Sequence, residues 1–340
     1  MVDSTMRQQV LQRLQGTLVL NIAYIGVVNG LLEALAKDAP ATPQVLAERT
    51  GKDPGYVVRW CDSAYAFELL EEVEPGAFAL SALGEAFRPD TPDTLMPLAV
   101  QAVLSTHLGE RAAGLMATGE RPGERVLAER ETVLPWFGPM LEHQFAPLLE
   151  REVLERVPAF REVDERAGVA VDLGCGNGWY LRRLAHRFPR LRGVGLDGFE
   201  ENIRQAQDLA QAEGLDDRLR FETGDIHHFG IAEPVDLVAM NRALHHVWDR
   251  KETVFQTLRS HLKPGGVAVI WEPDWPADRA RLRDPMRRAM AFQNLGEHVQ
   301  GNHFLGADQI AEQFRQVDME PEVYPVAEGR DVIVVGRRPS

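Results

Sequence analysis

Two cysteines in 340 residues, Cys61 and Cys175, are too few for a disulfide framework. They fall in segments of different character, which fits a reducing compartment and a cytoplasmic protein. Basic charge is also scarce: 37 Lys and Arg stand against 51 Asp and Glu, a formal net charge of -14. Such a field repels nucleic-acid phosphates and anionic membranes, so neither is expected as a partner. There is no repeat period and no low-complexity tract, and long apolar runs are missing except from Thr17 to Ala36. Asn21, Gly26, Asn29, Gly30 and Glu33 interrupt that run and no cleavage-type sequence follows. It reads as a buried or interfacial helix, not a membrane or targeting segment.

What is present begins with helical spacing. Val10, Leu11, Leu14, Leu18, Ile22, Ile25, Val28, Leu32 and Leu35 predict one long helix from about Met6 to Ala36, with an apolar stripe that must face a partner. Thr42-Pro43 and Asp53-Pro54 are helix starts and Gly51 is a stop, which predicts helices over 43–50 and 54–70. A hairpin around Pro75-Gly76 completes a winged-helix pattern. Residues 42–90 carry nine acidic and four basic side chains, a balance that opposes DNA binding. Residues 1–100 are therefore read as a mainly α domain with a winged-helix pattern. Residues 101–165 read as a helical bridge broken at Pro122-Gly123, Pro135, Pro139, Pro147 and Pro158.

From residue 166 to 340 the pattern changes. Short apolar or β-branched runs (Val169–Val171, Leu191–Leu196, Leu219–Phe221, Val235–Met240, Val267–Trp271) alternate with helical segments, the mark of an α/β, doubly wound parallel sheet. The first strand ends in Asp172-Leu173-Gly174-Cys175-Gly176-Asn177-Gly178. Glycines there let a ligand press against bare backbone at the carboxyl end of a strand. The third glycine follows after one residue, unlike the nicotinamide fingerprint, which opposes an oxidoreductase. Asp197 ends the second strand in a position to meet ribose hydroxyls. Thr223-Gly224-Asp225-Ile226 ends the third, Asn241 ends the fourth, and Lys263-Pro264-Gly265-Gly266 introduces the fifth.

Together these features resemble the class I, Rossmann-like S-adenosylmethionine-dependent methyltransferases from about Val169 to Arg337. The resemblance implies a mostly parallel seven-stranded sheet, finished by an antiparallel hairpin at Glu322–Tyr324 and Asp331–Val335. It implies S-adenosylmethionine as cofactor, with Asp172, Gly174, Gly176 and Gly178 around the methionine part, Asp197 on the ribose and Asp225 on adenine. Gly224, Ile226 and Asn241 complete the expected cofactor set.

Methyl transfer to a hydroxyl needs alignment and a base. His245 follows the fourth strand and Glu272 ends the fifth, so neighbouring strand ends bring them close. The whole chain resembles the dimeric small-molecule O-methyltransferases, whose base histidine lies in a Leu-His-x-x-x-Asp stretch, here Leu244-His245-His246-Val247-Trp248-Asp249. The resemblance implies His245 as base, Glu272 as its supporting acid, a small-molecule acceptor and a homodimer, with residues 1–100 as its dimerisation domain. Val247 stands where the family has tryptophan, and the family's second acid is expected near Asn302-His303. His246 is the alternative base.

Residues 277–303 read as a lid insertion in which Phe292, His298 and His303 contact the acceptor. Core packing explains Met286, Met290 and Phe292 at least as well as a lid role, and a solvated face is expected for Arg279, Arg281, Arg283, Arg287 and Arg288. Trp136, Phe137 and His143, with Phe145, are the expected opposite wall. His143, His298 and His303 lack short-range ligand spacing, so no metal is expected. The alternatives are N-, C- or S-methylation by proximity, without a base, and a winged-helix regulator that senses S-adenosylmethionine.

Overall fold

A computed structural model of the chain describes residues 3–130, 132–226, 229 and 233–340. It divides into two compact units, Met1–His107 with Arg130–His143, and Leu108–Glu129 with Gln144–Ser340.

In the first unit the opening helix runs Ser4–Val28, with the Asp3 carboxylate accepting from the Met6 N–H at 2.7 Å. The single helix expected to reach Ala36 is broken. Gly30 adopts a left-handed φ of 67°, open to a residue without Cβ, and Leu31–Lys37 leaves at an angle of 69°. No single helix among the described residues is long and apolar enough to cross a membrane. The second half of the opening helix is anchored: Ala23, Tyr24 and Val27 are buried, and the Trp60 indole N–H donates to the Ile22 carbonyl at 3.0 Å. Its first half is bare, with Met6, Val10 and Leu14 exposed by 52, 61 and 53%.

Thr42 and Asp53 cap the helices Pro43–Thr50 and Pro54–Ala66 by accepting from the Val45 and Tyr56 N–H groups. The second stops four residues before the expected end, and the chain turns through Glu68 at φ 61° into the antiparallel strands β1 (Leu70–Glu74) and β2 (Ala77–Leu80). The helix Leu134–Leu148 runs through three prolines expected to break it. Pro135 lies in the first turn, where the missing N–H has no partner to lose. Pro147 lies at the end, where the helix passes into a π-helical turn at Leu149–Val153.

The second unit holds a seven-stranded sheet of β3 (Val169–Leu173), β4 (Arg192–Asp197), β5 (Leu219–Thr223), β6 (Val235–Asn241), β7 (Leu262–Pro273), β8 (Glu320–Val326) and β9 (Asp331–Arg337). Its order is β5-β4-β3-β6-β7-β9-β8, parallel except for β9, which pairs antiparallel with β7 and β8. The central run Val235–Met240 is buried throughout, and Leu173, Val238, Ile270 and Val334 join Leu258 and Phe314 from covering helices in one core. Strand order reverses at β3, so the carboxyl ends of β3, β4 and β6 open the crevice in which such sheets bind ligands.

The segment after β7 forms a 3-10 turn at Arg279–Arg283 and the helix Arg288–Val299. Two expectations fail here. Arg287 is not on a solvated face: it is buried and donates to the carbonyls of Asp274, at 3.1 Å, and Gly329. Met286 is exposed, and only Met290 packs inward. A chain of arginines in sequence does not reveal which one meets unpaired carbonyls.

Candidate active site

The first part of the candidate site is the turn after β3. Gly178 sits at φ 74°, and a Cβ there would lie 2.6 Å from the Phe221 ring, so glycine alone fits. The turn is tied to β4 from both sides. Gly174 and Cys175 donate to the Leu196 carbonyl at 2.8 and 3.0 Å, and Gly176 donates to the Asp197 carboxylate at 2.9 Å. Asp197 also accepts from the Phe199 N–H and the Asn202 amide, each at 3.0 Å. Three of roughly four acceptor positions on this carboxylate are thereby used, which leaves about one for a ligand hydroxyl. Gly224 donates to the Asp197 carbonyl at 2.9 Å and so brings the end of β5 to the same place; Asp225 is exposed and Ile226 half-buried.

Asp172 and Asn241 form the floor. The Asn241 amide donates to Asp172 at 2.8 Å, while the Asn241 oxygen is buried and has no partner among the described residues. Burial pushes the Asp172 carboxyl up to about 8 against the Asn241 hydrogen bond, helped by the Asp197 charge. A buried carboxylate and an orphaned carbonyl side by side call for a cationic donor. The ammonium of an amino-acid moiety meets that need, so these residues fit the methionine part of S-adenosylmethionine.

A second cluster lies one strand over. The chain leaves β6 through Arg242 at φ 55°, whose guanidinium pairs with Asp331 at 2.9 Å and lies over Phe145. This turn starts the 3-10 helix Leu244–Arg250 beside the end of β7. Glu272, 0% exposed, accepts from the Leu244 and His245 N–H groups at 2.8 and 3.3 Å and from His245 Nδ1 at 2.7 Å. His245 Nε2 lies 3.5 Å from Glu297. Burial pulls the imidazole pKa down, but the flanking carboxylates of Glu272 and Glu297 overcome it and raise it to about 10. The same cluster, against the cost of burial, holds the Glu297 carboxyl below its usual range.

Glu297 was not among the expected residues. The second acid was sought near Asn302-His303, but the helix Arg288–Val299 delivers it five residues earlier. No local pattern marks it, because its role depends on where that helix packs. Asn202, Phe199 and Phe304 were also missed; the Phe304 ring meets His245 edge-on at 5.6 Å.

His246 stacks beside His245 with ring centroids 4.2 Å apart, and its Nδ1 lies 2.8 Å from Glu124. Both histidines line a cavity of about 800 Å³ that also meets Phe199, Trp248, Asn302 and His303. His303 is exposed on its rim, where burial first and then the charges of His245 and His298 lower its pKa. His298 is exposed and does not line the cavity, nor does Phe292, whose ring lies close to Gly109. Trp136, Phe137 and His143 belong to the first unit, whereas this cavity lies wholly in the second.

Residues 170–266 match the family model described as a methyltransferase domain. A trans-aconitate 2-methyltransferase of Azoarcus sp. (strain BH72) is 37% identical over 139 residues, 40% of this chain and 50% of that protein. The chain thus spans half the length of that relative. The 3-amino-4-hydroxybenzoate 4-O-methyltransferase of Streptomyces cremeus is 27% identical over 73% of this chain and 68% of its own. Human N-acetylserotonin methyltransferase, solved with S-adenosylmethionine, superposes with a TM-score of 0.68 at 16% identity, covering 100% of this chain and 99% of the human one.

Proposed function

We propose, for a chain that carries a class I S-adenosylmethionine-dependent methyltransferase domain, that it methylates a hydroxyl oxygen of a small aromatic acceptor with His245 as base. The observation that carries this reading is the buried pair of His245 and Glu272, whose imidazole lines a cavity that Phe199, hydrogen-bonded to Asp197, also lines.

S-adenosylmethionine supplies a methyl group already activated on a sulfonium. Asp172 and Asn241 would hold its ammonium, Gly174, Gly176 and Gly178 would leave room for it, and Asp197, Gly224, Asp225 and Ile226 would meet its nucleoside. The chain's remaining task is the acceptor proton. In the neutral form of His245, Glu272 holds the proton on Nδ1 and leaves the Nε2 lone pair for the hydroxyl. The acceptor hydroxyl's proton would pass to Nε2, and the resulting imidazolium would be held between Glu272 and Glu297. The flanking carboxylates that raise the His245 pKa against burial are also what would stabilise the imidazolium once the proton is taken. An aromatic hydroxy acid is what the Streptomyces cremeus relative is named for.

The bare apolar row Met6, Val10 and Leu14 supports a homodimer formed through the first unit, with its helices and hairpin acting as a winged-helix part in self-association. The test is methyl transfer from labelled cofactor to parallel panels of phenols, amines and thiols, with wild type and His245→Ala. Phenol methylation that disappears in the variant is expected. Transfer to amines or thiols alone, or full turnover by the variant, would discard the reading.

A further inference from the structure

We propose that His245, His246 and Glu297 form a binding site for a zinc-type divalent cation, and that its occupation switches methyl transfer off. One donor atom from each of the three lies within 4.8 Å of the others. His245 Nε2 and the Glu297 carboxylate are 3.5 Å apart. Zinc bonds of about 2.1 Å in a tetrahedron place their ligand atoms about 3.4 Å from one another, so this edge is already set.

The surroundings agree. The other nitrogen of His245 is bound at 2.7 Å to a fully buried carboxylate, Glu272, the outer contact that fixes tautomer and ring orientation in metal-ligating histidines. Glu124, 2.8 Å from His246 Nδ1, adds a second carboxylate at the same rim. Two imidazoles and one carboxylate suit zinc or a similar transition metal and not magnesium or calcium, which take oxygen ligands. The cavity of about 800 Å³ provides the path in and room for a water in the open position. None of His143, His298 and His303 takes part.

The switch follows from sharing. The Nε2 lone pair that would receive the acceptor proton is the one the cation occupies, so the two states exclude each other. This consequence rests on His245 being the base; the site itself does not.

The experiment is calorimetric titration of the full chain, saturated with S-adenosylhomocysteine, with Zn²⁺ and separately with Mg²⁺. One Zn²⁺ per chain and no Mg²⁺ binding are expected. His246→Ala and Glu297→Gln should each weaken Zn²⁺ by roughly tenfold or more, and His298→Ala should leave it unchanged. Cofactor affinity in each variant checks that it is folded. Absence of saturable Zn²⁺ binding, or wild-type affinity in both site variants, overturns the site and leaves the base reading intact. Zn²⁺ binding at the site without loss of turnover overturns the switch and removes His245 as base.

Discussion

His245 and Glu272 meet across 2.7 Å in the interior, one from the turn after β6 and the other from the end of β7. The carboxylate also accepts two backbone N–H groups of the His245 segment, so it sets both the position of the ring and its tautomer.

Replacing Glu272 by Gln tests that double role. An amide donates to Nδ1 and drives the imidazole proton to Nε2, the wrong nitrogen for a base. Turnover should fall nearly as far as in His245→Ala, for which a loss of roughly 10²–10⁴-fold is expected, while cofactor affinity stays close to wild type. Steady-state kinetics beside calorimetry check it; a Gln variant with normal turnover would leave Glu272 only a structural carboxylate.

The pH dependence follows from the same cluster. The folded value of His245, about 10, lies above its ordinary 6.5. The ion pair therefore stabilises the fold fully below about pH 6.5 and loses that contribution as pH rises through about 10. For catalysis the sign is opposite: the neutral base becomes available as pH rises, so kcat/KM should climb toward pH 10. Glu297→Gln removes one carboxylate that holds the proton and should move this limb to lower pH. A limb that does not move would take Glu297 out of contact with the base.

Asp172 trades stability for binding. Its folded value of about 8 against an ordinary 3.8 means the folded state without ligand holds an extra proton between these limits, so its stability falls as pH rises across that window. Asp172→Asn should flatten the fall and raise the melting temperature at pH 9, while cofactor affinity drops roughly tenfold or more for want of the charge-assisted bond. Thermal melts at pH 5 and 9 with calorimetry decide it; identical pH dependence in both proteins would show that Asp172 is not the titrating group.

The bare apolar row is tested by Val10→Glu with Leu14→Glu. Wild type should sediment as a dimer and the double variant as a folded monomer, since a charge placed in an apolar interface has no partner. A monomeric wild type would end the self-association proposal.

Much of the second unit could be read directly. Strand and helix alternate because the central strands are buried on both faces and the helices cover them with one, and the glycine turn, Asp197 and the adjacent ends bearing His245 and Glu272 follow from where those strands stop. The same local reasoning failed at Glu297, at Arg287 and at the break after Asn29. A helix of mixed polarity does not say which of its acids turns inward, an arginine run does not say which member finds buried carbonyls, and apolar spacing continues past a glycine that changes direction.

The order of elements, the glycine turn after β3 and the meeting of His245 with Glu272 at neighbouring strand ends were thus determined by the sequence, because short-range periodicity and strand ends encode them. Packing decided the rest. The helix Arg288–Val299 brings Glu297 to His245, and the burial of Asp172 with the unpaired Asn241 oxygen sets the demand for a cation, since desolvation and contact arise only when distant segments close on one another.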